Sequence, residues 1–481
     1  MLGRLSNANL GYLAVFFLAI TLLGCQSETE SESGAASWLS PTGVVPEFTQ
    51  RSGDPEKGRY ALLHEPYVNC GTPARVFREL QSSFVASDTI VDVAGRDAAM
   101  DGLPYSNTLV TGRTGIDVVS SNCLSCHGTN LFGELIIGLG NEFADFTRNP
   151  SIGVERIGAL VRGKDEIAEW ERFADRVAAI APYTQMQTVG VNPANNLTLA
   201  LMARRDAKTN EWLDEAVLPL PPTNPPPVSV PPWWRMAKKR SMFTMSEGRK
   251  DHARTMLSAS MLCIDSVEEL NTIDGYAPDI RAYLSSIQPP PYPFDIDSSL
   301  ALKGADVFEL NCASCHGTYG ESHTYPNLVT PINEVKTDSR LMELATGDFG
   351  ESYAAWFNQS WFGELSSAAP AKGYAAPPLD GIWATAPFLH NGSVPTLRQL
   401  LKPTERPAIW RQLATNATDP EFYDTENLGW QHEVVPASSV DETENRVYNT
   451  GWEGYGNEGH SYGASLNEEA VLALLEYLKT L

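Results

Sequence analysis

The chain has 481 residues, 35 Lys and Arg against 59 Asp and Glu, and a net charge of −24. Acidity of this size repels a phosphate backbone, so no nucleic-acid partner is expected. With 42% hydrophobic and 20% charged residues, the chain can bury two or three cores of ordinary size and does not read as a disordered polymer.

The N-terminus reads as an address. Arg4 precedes an apolar run from Leu13 to Leu23, which closes in Leu22-Leu23-Gly24-Cys25. The run is too short for a ~30 Å hydrocarbon core and fits a secretory h-region. Its ending resembles the bacterial lipoprotein signal, which implies cleavage before Cys25, lipidation of Cys25 and, with Gln26 next, an outer-membrane destination. The expected boundaries are a signal peptide over 1–24 and a lipidated, polar tether over 25–52. No later stretch is apolar enough to cross a bilayer, so membrane attachment is expected through the lipid alone. The folded part would face the periplasm or the cell exterior.

Six cysteines then remain in an oxidising compartment. Four of them form Cys123-Leu124-Ser125-Cys126-His127 and Cys312-Ala313-Ser314-Cys315-His316, both of the form C-x-x-C-H that attaches c-type haem. Two thiols three residues apart on one turn can each form a thioether with a vinyl group, and the next residue places an imidazole under the iron. A thioredoxin-like pair does not need the following histidine twice. A zinc site would need partner ligands at matching spacing, and none is offered. Two covalent haem c groups are expected, with His127 and His316 as proximal ligands.

The surroundings look repeated. Gly115 and Gly304 each stand eight residues before the first cysteine of their motif. Ile280, Tyr283, Leu284 and Ile287 share the i, i+3, i+4, i+7 spacing of Val471, Leu474, Leu475 and Leu478, so a similar helix closes each half. Ser465 with Glu468 predicts a capping box for the last one. A helix before the haem packed on a helix at the end resembles the cytochrome c fold, and Pro289-Pro290-Pro291 marks a boundary. The expected fold class is mainly α, with two cytochrome c-like haem domains, 53–288 and 289–481, carrying long irregular, Pro-rich insertions. Eight prolines fall within the fourteen residues 219–232 and predict a stiff extended stretch lying on a surface. It leads into Trp233-Trp234-Arg235 and Lys238-Lys239-Arg240, either an aromatic and cationic wall that meets haem propionates or a solvated basic face beside core tryptophans.

The sixth iron position has few suitors. For the second haem, His460 in a Gly-rich turn before the closing helix is preferred, with Met342, His323, His390 and His432 as alternatives. For the first haem no histidine occurs between His127 and His252. Met186, Met242 and Met245 remain, and methionine is more often core filling. An open iron suits oxygen or peroxide chemistry, and a closed one suits electron transfer.

The segment from Pro377 to Leu397, with Gly381-Ile382-Trp383-Ala384-Thr385-Ala386-Pro387 and Phe388-Leu389-His390-Asn391-Gly392, resembles the signature of the bacterial di-haem cytochrome c peroxidase superfamily. Together with Trp233-Trp234-Arg235 and the terminal Gly459-His460, it is similar more narrowly to the rubber-oxygenase-like branch. That resemblance implies an open, oxygen-binding face above the haem of His127 and a bis-histidine haem on His316 and His460. It implies an outer-shell role for His390 and a place for Phe243 on the distal side of the first haem. Electron passage between the haems needs a mediating contact, for which Trp383 is one candidate among eleven tryptophans, a core role being the favoured reading of it. As in related peroxidases, Ca2+ between the domains is a further expectation, with no loop to identify its site. Two departures stand out. The removable histidine that classical peroxidases carry shortly after the first motif is missing, and the chain is short for a true rubber oxygenase, so polyisoprene is not the expected substrate.

Cys70 and Cys263 are left over, either as a disulfide, which the compartment favours, or as two buried thiols. The function expected is a di-haem c-type cytochrome that receives electrons from a small redox partner protein and activates O2 or H2O2. The alternatives are a pure electron carrier in a respiratory or redox chain and a gas or redox sensor.

Overall fold

The computed structural model describes residues 43–440 and 444–481. The expected signal peptide, Cys25 and most of the tether lie outside the described residues. Among the described residues no helix is long and apolar enough to cross a membrane.

Two pairs of crossed helices frame the molecule. Helix Pro55–His64 starts at Asp54, whose carboxylate accepts from the amides of Glu56 and Lys57, with Pro55 in the first turn. Both features satisfy or remove amides that have no partner at a helix start. It crosses helix Ala277–Ser286 at Gly58, where a Cβ would lie 1.8 Å from the Asp279 carbonyl oxygen. Helix Ser298–Asn311, capped by Asp297, crosses helix Glu468–Leu478 at Gly304, where a Cβ would lie 1.9 Å from the Ala473 carbonyl oxygen. Only glycine permits backbones to meet so closely. The closing helices fall where their periodicity places them, with Ile280 and Leu284 buried in one and Val471, Leu474, Leu475 and Leu478 in the other.

Three expectations about this frame need correction. The counterpart of Gly304 is Gly58, not Gly115. Gly115 sits at φ +85° in the open turn between strands Asn107–Thr111 and Asp117–Ser121. The last helix is capped by the Asn467 side chain, which accepts from the Ala470 amide, rather than by Ser465 with Glu468. The fold is also not mainly α: of the described residues 40% are helix and 13% strand, in several small sheets. The strands run two to five residues, joining as two three-stranded and four two-stranded sheets among the described residues. Segments that short carry too few residues for an alternating pattern to register.

The cores follow the helix pairs. Leu62, Leu63, Leu124, Trp233, Ile280 and Leu284 pack around the first motif. Phe308, Trp383, Tyr423, Trp430, Val471 and Leu474 form part of the core around the second. A third core gathers Leu201, Leu257 and Met261 with Trp356, Phe357 and Phe362, so it draws on both sides of Pro289-Pro290-Pro291. Strand Gly248–Lys250 pairs with Ser366–Ala368 across the same boundary. Several Pro219–Pro232 prolines, including Pro225, Pro226 and Pro227, are buried, so the stretch is wedged into the fold rather than laid over it.

Candidate haem sites

Each C-x-x-C-H motif is one helical turn. In the first, His127 N–H donates to the Cys123 carbonyl at 3.1 Å. Buried Asn122 caps the turn: its Oδ1 accepts from the Leu124 amide at 2.9 Å, while its Nδ2 donates to the Tyr105 carbonyl and Thr108 Oγ1. In the second, the turn Ala313–His316 continues directly from helix Ser298–Asn311, and His316 N–H donates to the Cys312 carbonyl at 3.0 Å. Cys123, Cys126, Cys312 and Cys315 are free thiols, whereas Cys70 and Cys263 form a disulfide. Burial pushes the Cys123 thiol up to about 12 and Cys312 up to about 11.

The second site has an imidazole on each side. His316 Nδ1–H donates to the Pro377 carbonyl at 2.7 Å, which fixes the tautomer and leaves Nε2 with a lone pair for a metal. Across from it stands His460, with ring centroids 6.2 Å apart and planes at 59°. Two metal–imidazole bonds of about 2 Å each plus roughly 1 Å from each nitrogen to its ring centre reach that separation. The loop carrying His460 is pinned from two directions. His460 N–H donates to the Val335 carbonyl at 2.8 Å, and the Arg406 guanidinium donates to the carbonyls of Gln399, Leu400, Asn457, Gly459 and His460. Gly459, at φ +73°, would place a Cβ 2.3 Å from the Lys336 carbonyl carbon, so no other residue fits there. Burial, then the neighbouring His316 and Arg406, holds the His460 imidazole down at about 3; it stays neutral, as a ligand must.

The first site is built differently. The His127 ring stacks on Trp233, centroids 4.7 Å apart at 23°. Burial pulls its pKa down to about 4, against a smaller opposing effect of the Pro231 backbone. Among the described residues no second histidine ring contacts it. Segment 138–142 is threaded between the motif and the Pro-rich stretch: Gly138 N–H donates to the His127 carbonyl, Asn141 N–H to the Cys126 carbonyl, and Trp233 N–H to the Gly138 carbonyl.

Three consecutive residues join the two sites. Trp233 stacks on His127. Trp234 Nε1–H donates to the Asp380 carbonyl at 2.8 Å, and Arg235 Nε–H to the same oxygen at 3.1 Å. The Arg235 charge reaches His316, lowering its pKa further after burial. Trp383, the other tryptophan considered as a contact between haems, is 1% exposed in the core, its Nε1–H bound to the Pro290 carbonyl.

The donor set fits haem c. Burial pulls Arg235 down to about 10, Lys239 to about 8 and Arg249 to about 9, and pushes Glu247 among them up to about 7. Arg235 Nη2 is buried with no partner. Enclosed cations of this kind need anions, and haem propionates are carboxylates of matching chemistry. Cys123, Cys126, Cys312 and Cys315 would form the thioethers, His127, His316 and His460 would hold iron, and Arg235 and Lys239 would meet propionates. Among the described residues no group of three or more His, Cys, Asp or Glu side chains is arranged to hold a metal ion.

The remaining suitors are placed elsewhere. Met342 is buried against Leu341 and Tyr374, with its sulfur accepting from Thr346 Oγ1. His432 meets Gln399, and His323 is exposed. Met186 and Met245 fill cores. His390 lies stacked on Tyr374, centroids 4.1 Å apart, and burial drops it to about 3. Phe243 sits at φ +67° on the loop before Glu247, 40% exposed. Sequence reasoning missed Asn122, Glu142 and Arg406, because each acts through backbone groups that no motif records.

Residues 373–411 match the family described as RoxA-like, cytochrome c-like. The chain is 30% identical over 234 residues to the uncharacterized protein y4iM of Sinorhizobium fredii, covering 42% of this chain and 53% of that one. It is 29% identical over 293 residues to the uncharacterized protein y4iJ of the same organism, covering 47% of each. The chain thus spans about half the length of the curated relatives it matches. The matched segment contains Asp380, Trp383 and His390 and borders the wall of the His316 site. It supports a cytochrome c-like domain of the rubber-oxygenase-like type, with haem c as its covalent cofactor.

Proposed function

We propose that the chain is a di-haem oxidoreductase in which the haem of His127 activates oxygen or peroxide and the haem of His316 and His460 supplies it with electrons. The observation that carries this reading is the asymmetry of the two sites: His316 faces His460 at 6.2 Å, whereas the partner of His127 is the flank of Trp233. Bound iron porphyrin would supply the redox chemistry, and the chain sets its access, ligands and charge. Arg406 holds the His460 loop so that one iron stays closed. The buried cations Arg235 and Lys239 neutralise carboxylates and raise the affinity for electrons. Trp233, Trp234 and Arg235 link the sites through the His127 stack and hydrogen bonds to the Asp380 carbonyl. Attachment through Cys25 to a bacterial membrane, with the folded part facing periplasm or exterior, and supply of electrons by a small redox protein belong to the same proposal.

The test is optical and EPR spectroscopy of the purified holoprotein, as isolated, reduced, and after addition of O2 or H2O2. One low-spin haem and one haem that changes spin or spectrum with oxidant support the reading. Two low-spin haems inert in both redox states would leave an electron carrier and end it.

A further inference from the structure

The carboxyl group of Glu142 is not among the residues assigned above to hold either haem, yet its segment lies against the first C-x-x-C-H motif. Glu142 is 5% exposed. Its Oε1 accepts from Ser229 Oγ at 2.8 Å and from the Val230 amide at 3.0 Å. Its Oε2 is buried without any partner. On one side the preceding residue, Asn141, donates its amide to the Cys126 carbonyl at 2.8 Å. On the other, Val230 precedes Pro231, whose backbone interacts with the His127 imidazole. Glu142 is therefore clamped between the two segments that carry the cysteine turn and flank its histidine.

A buried carboxylate with one oxygen unpaired is far more costly than the acid, whose Oε2–H has no charge to solvate. Burial accordingly raises the group to about 8. No cation compensates it. The titratable neighbours are Tyr448, a neutral phenol that donates to the Asn391 carbonyl, and His390, whose carbonyl accepts from the Ser229 amide and whose neutral ring is stacked on Tyr374. On its own segment Asp145 is paired with Arg148.

We infer that Glu142 is the redox-linked proton site of the first haem: one electron from a one-electron donor reduces the iron held by His127 from iron(III) to iron(II), and one proton from solvent binds Oε2 of Glu142. Removing one positive charge at the iron raises the proton affinity of the nearby carboxyl, so charge inside the fold is conserved. The reaction forms one O–H bond and breaks none in the protein. This rests on the two-haem reading only in requiring a haem at His127, and it holds whether or not that haem is open.

The test is a mediated potentiometric titration of the holoprotein between pH 6 and pH 10, following each haem separately, for wild type and Glu142→Gln. In wild type the potential of the His127 haem falls above about pH 8, approaching 59 mV per pH unit for one electron and one proton. In Glu142→Gln, which keeps an oxygen for Ser229 and Val230, that slope disappears and the His316/His460 haem is unchanged. An equal slope in both proteins overturns the assignment. A variant that fails to fold is bypassed by redox difference infrared spectroscopy of wild type above pH 8. A protonated-carboxyl band that gains intensity on reduction and shifts in D2O supports the assignment, and its absence overturns it. Carbon monoxide binding by the same reduced sample reports the openness of the haem, so failure of that reading is seen separately.

Discussion

Replacing Gly304 by Ala sets two effects of opposite sign against each other. Within a helix Ala is favoured over Gly by about 1 kcal/mol, so local propensity alone predicts a more stable protein. The crossing with helix Glu468–Leu478 predicts the reverse. The added Cβ would stand 1.9 Å from the Ala473 carbonyl oxygen, 2.6 Å from its carbon and 2.7 Å from Tyr477 Cβ. Ordinary contact begins near 3.5 Å, and two of those three atoms are backbone, so the helices must part by more than about 1 Å. Phe308, Val471 and Leu474, buried at this crossing, would lose contact as they do. Overpacking of this kind costs about 1–3 kcal/mol or more, and it outweighs the propensity gain. We expect Gly304→Ala to lower the urea midpoint of the holoprotein, followed by far-UV circular dichroism. Gly153→Ala, on exposed helix Pro150–Gly158 where a Cβ meets nothing within 4 Å, should raise it slightly. A Gly304→Ala protein as stable as wild type would refute the close crossing and with it the helix frame around the second C-x-x-C-H motif.

Other consequences follow from individual residues. Arg406→Ala removes five carbonyl contacts from the His460 loop; we expect a loss of about 3 kcal/mol and a partial change from low to high spin in EPR. Glu142 has a folded pKa of about 8, raised from its unfolded value, so the folded state binds the proton more tightly. Stability therefore falls as pH rises from about 4.5 to about 8, each pH unit worth about 1.4 kcal/mol at most. Glu142→Gln should flatten that fall in urea titrations at pH 5 and pH 8, with a difference of order 3 kcal/mol. Replacing Cys70 and Cys263 together by Ser opens a crosslink spanning 193 residues. In the chain-entropy model this costs about 5 kcal/mol, readable as a lower thermal midpoint in non-reducing buffer.

The candidate haem sites were legible because most of their residues are consecutive. Cys123 to His127 and Cys312 to His316 are each one turn, and the spacing alone specifies the turn. His460 was reachable by elimination among eight histidines, and the structure sets it opposite His316. The closing helices were legible from their apolar period. The opening helix of the first half was not: between His64 and Cys123 the chain inserts the strands Asn107–Thr111 and Asp117–Ser121, so Gly58 lost its fixed offset from the motif and Gly115 took its apparent place by coincidence. The overestimate of helix has the same origin. Insertions built from strands of two to five residues are held by cross-strand partners far away in sequence, as Gly248–Lys250 is by Ser366–Ala368, and a window of local sequence contains only half of each pair. Arg406 and Asn122 escaped notice because an arginine that binds carbonyls and an asparagine that caps a turn look like any surface residue until the backbone is placed.

The most direct measurement is the stoichiometry of carbon monoxide bound by the fully reduced holoprotein, in wild type and in His460→Ala. The structure pairs His316 with His460 and gives His127 no opposing imidazole, so one haem per chain should bind in wild type and two in the variant. No binding in wild type, or one binding haem in both proteins, would contradict the division into an open and a closed site.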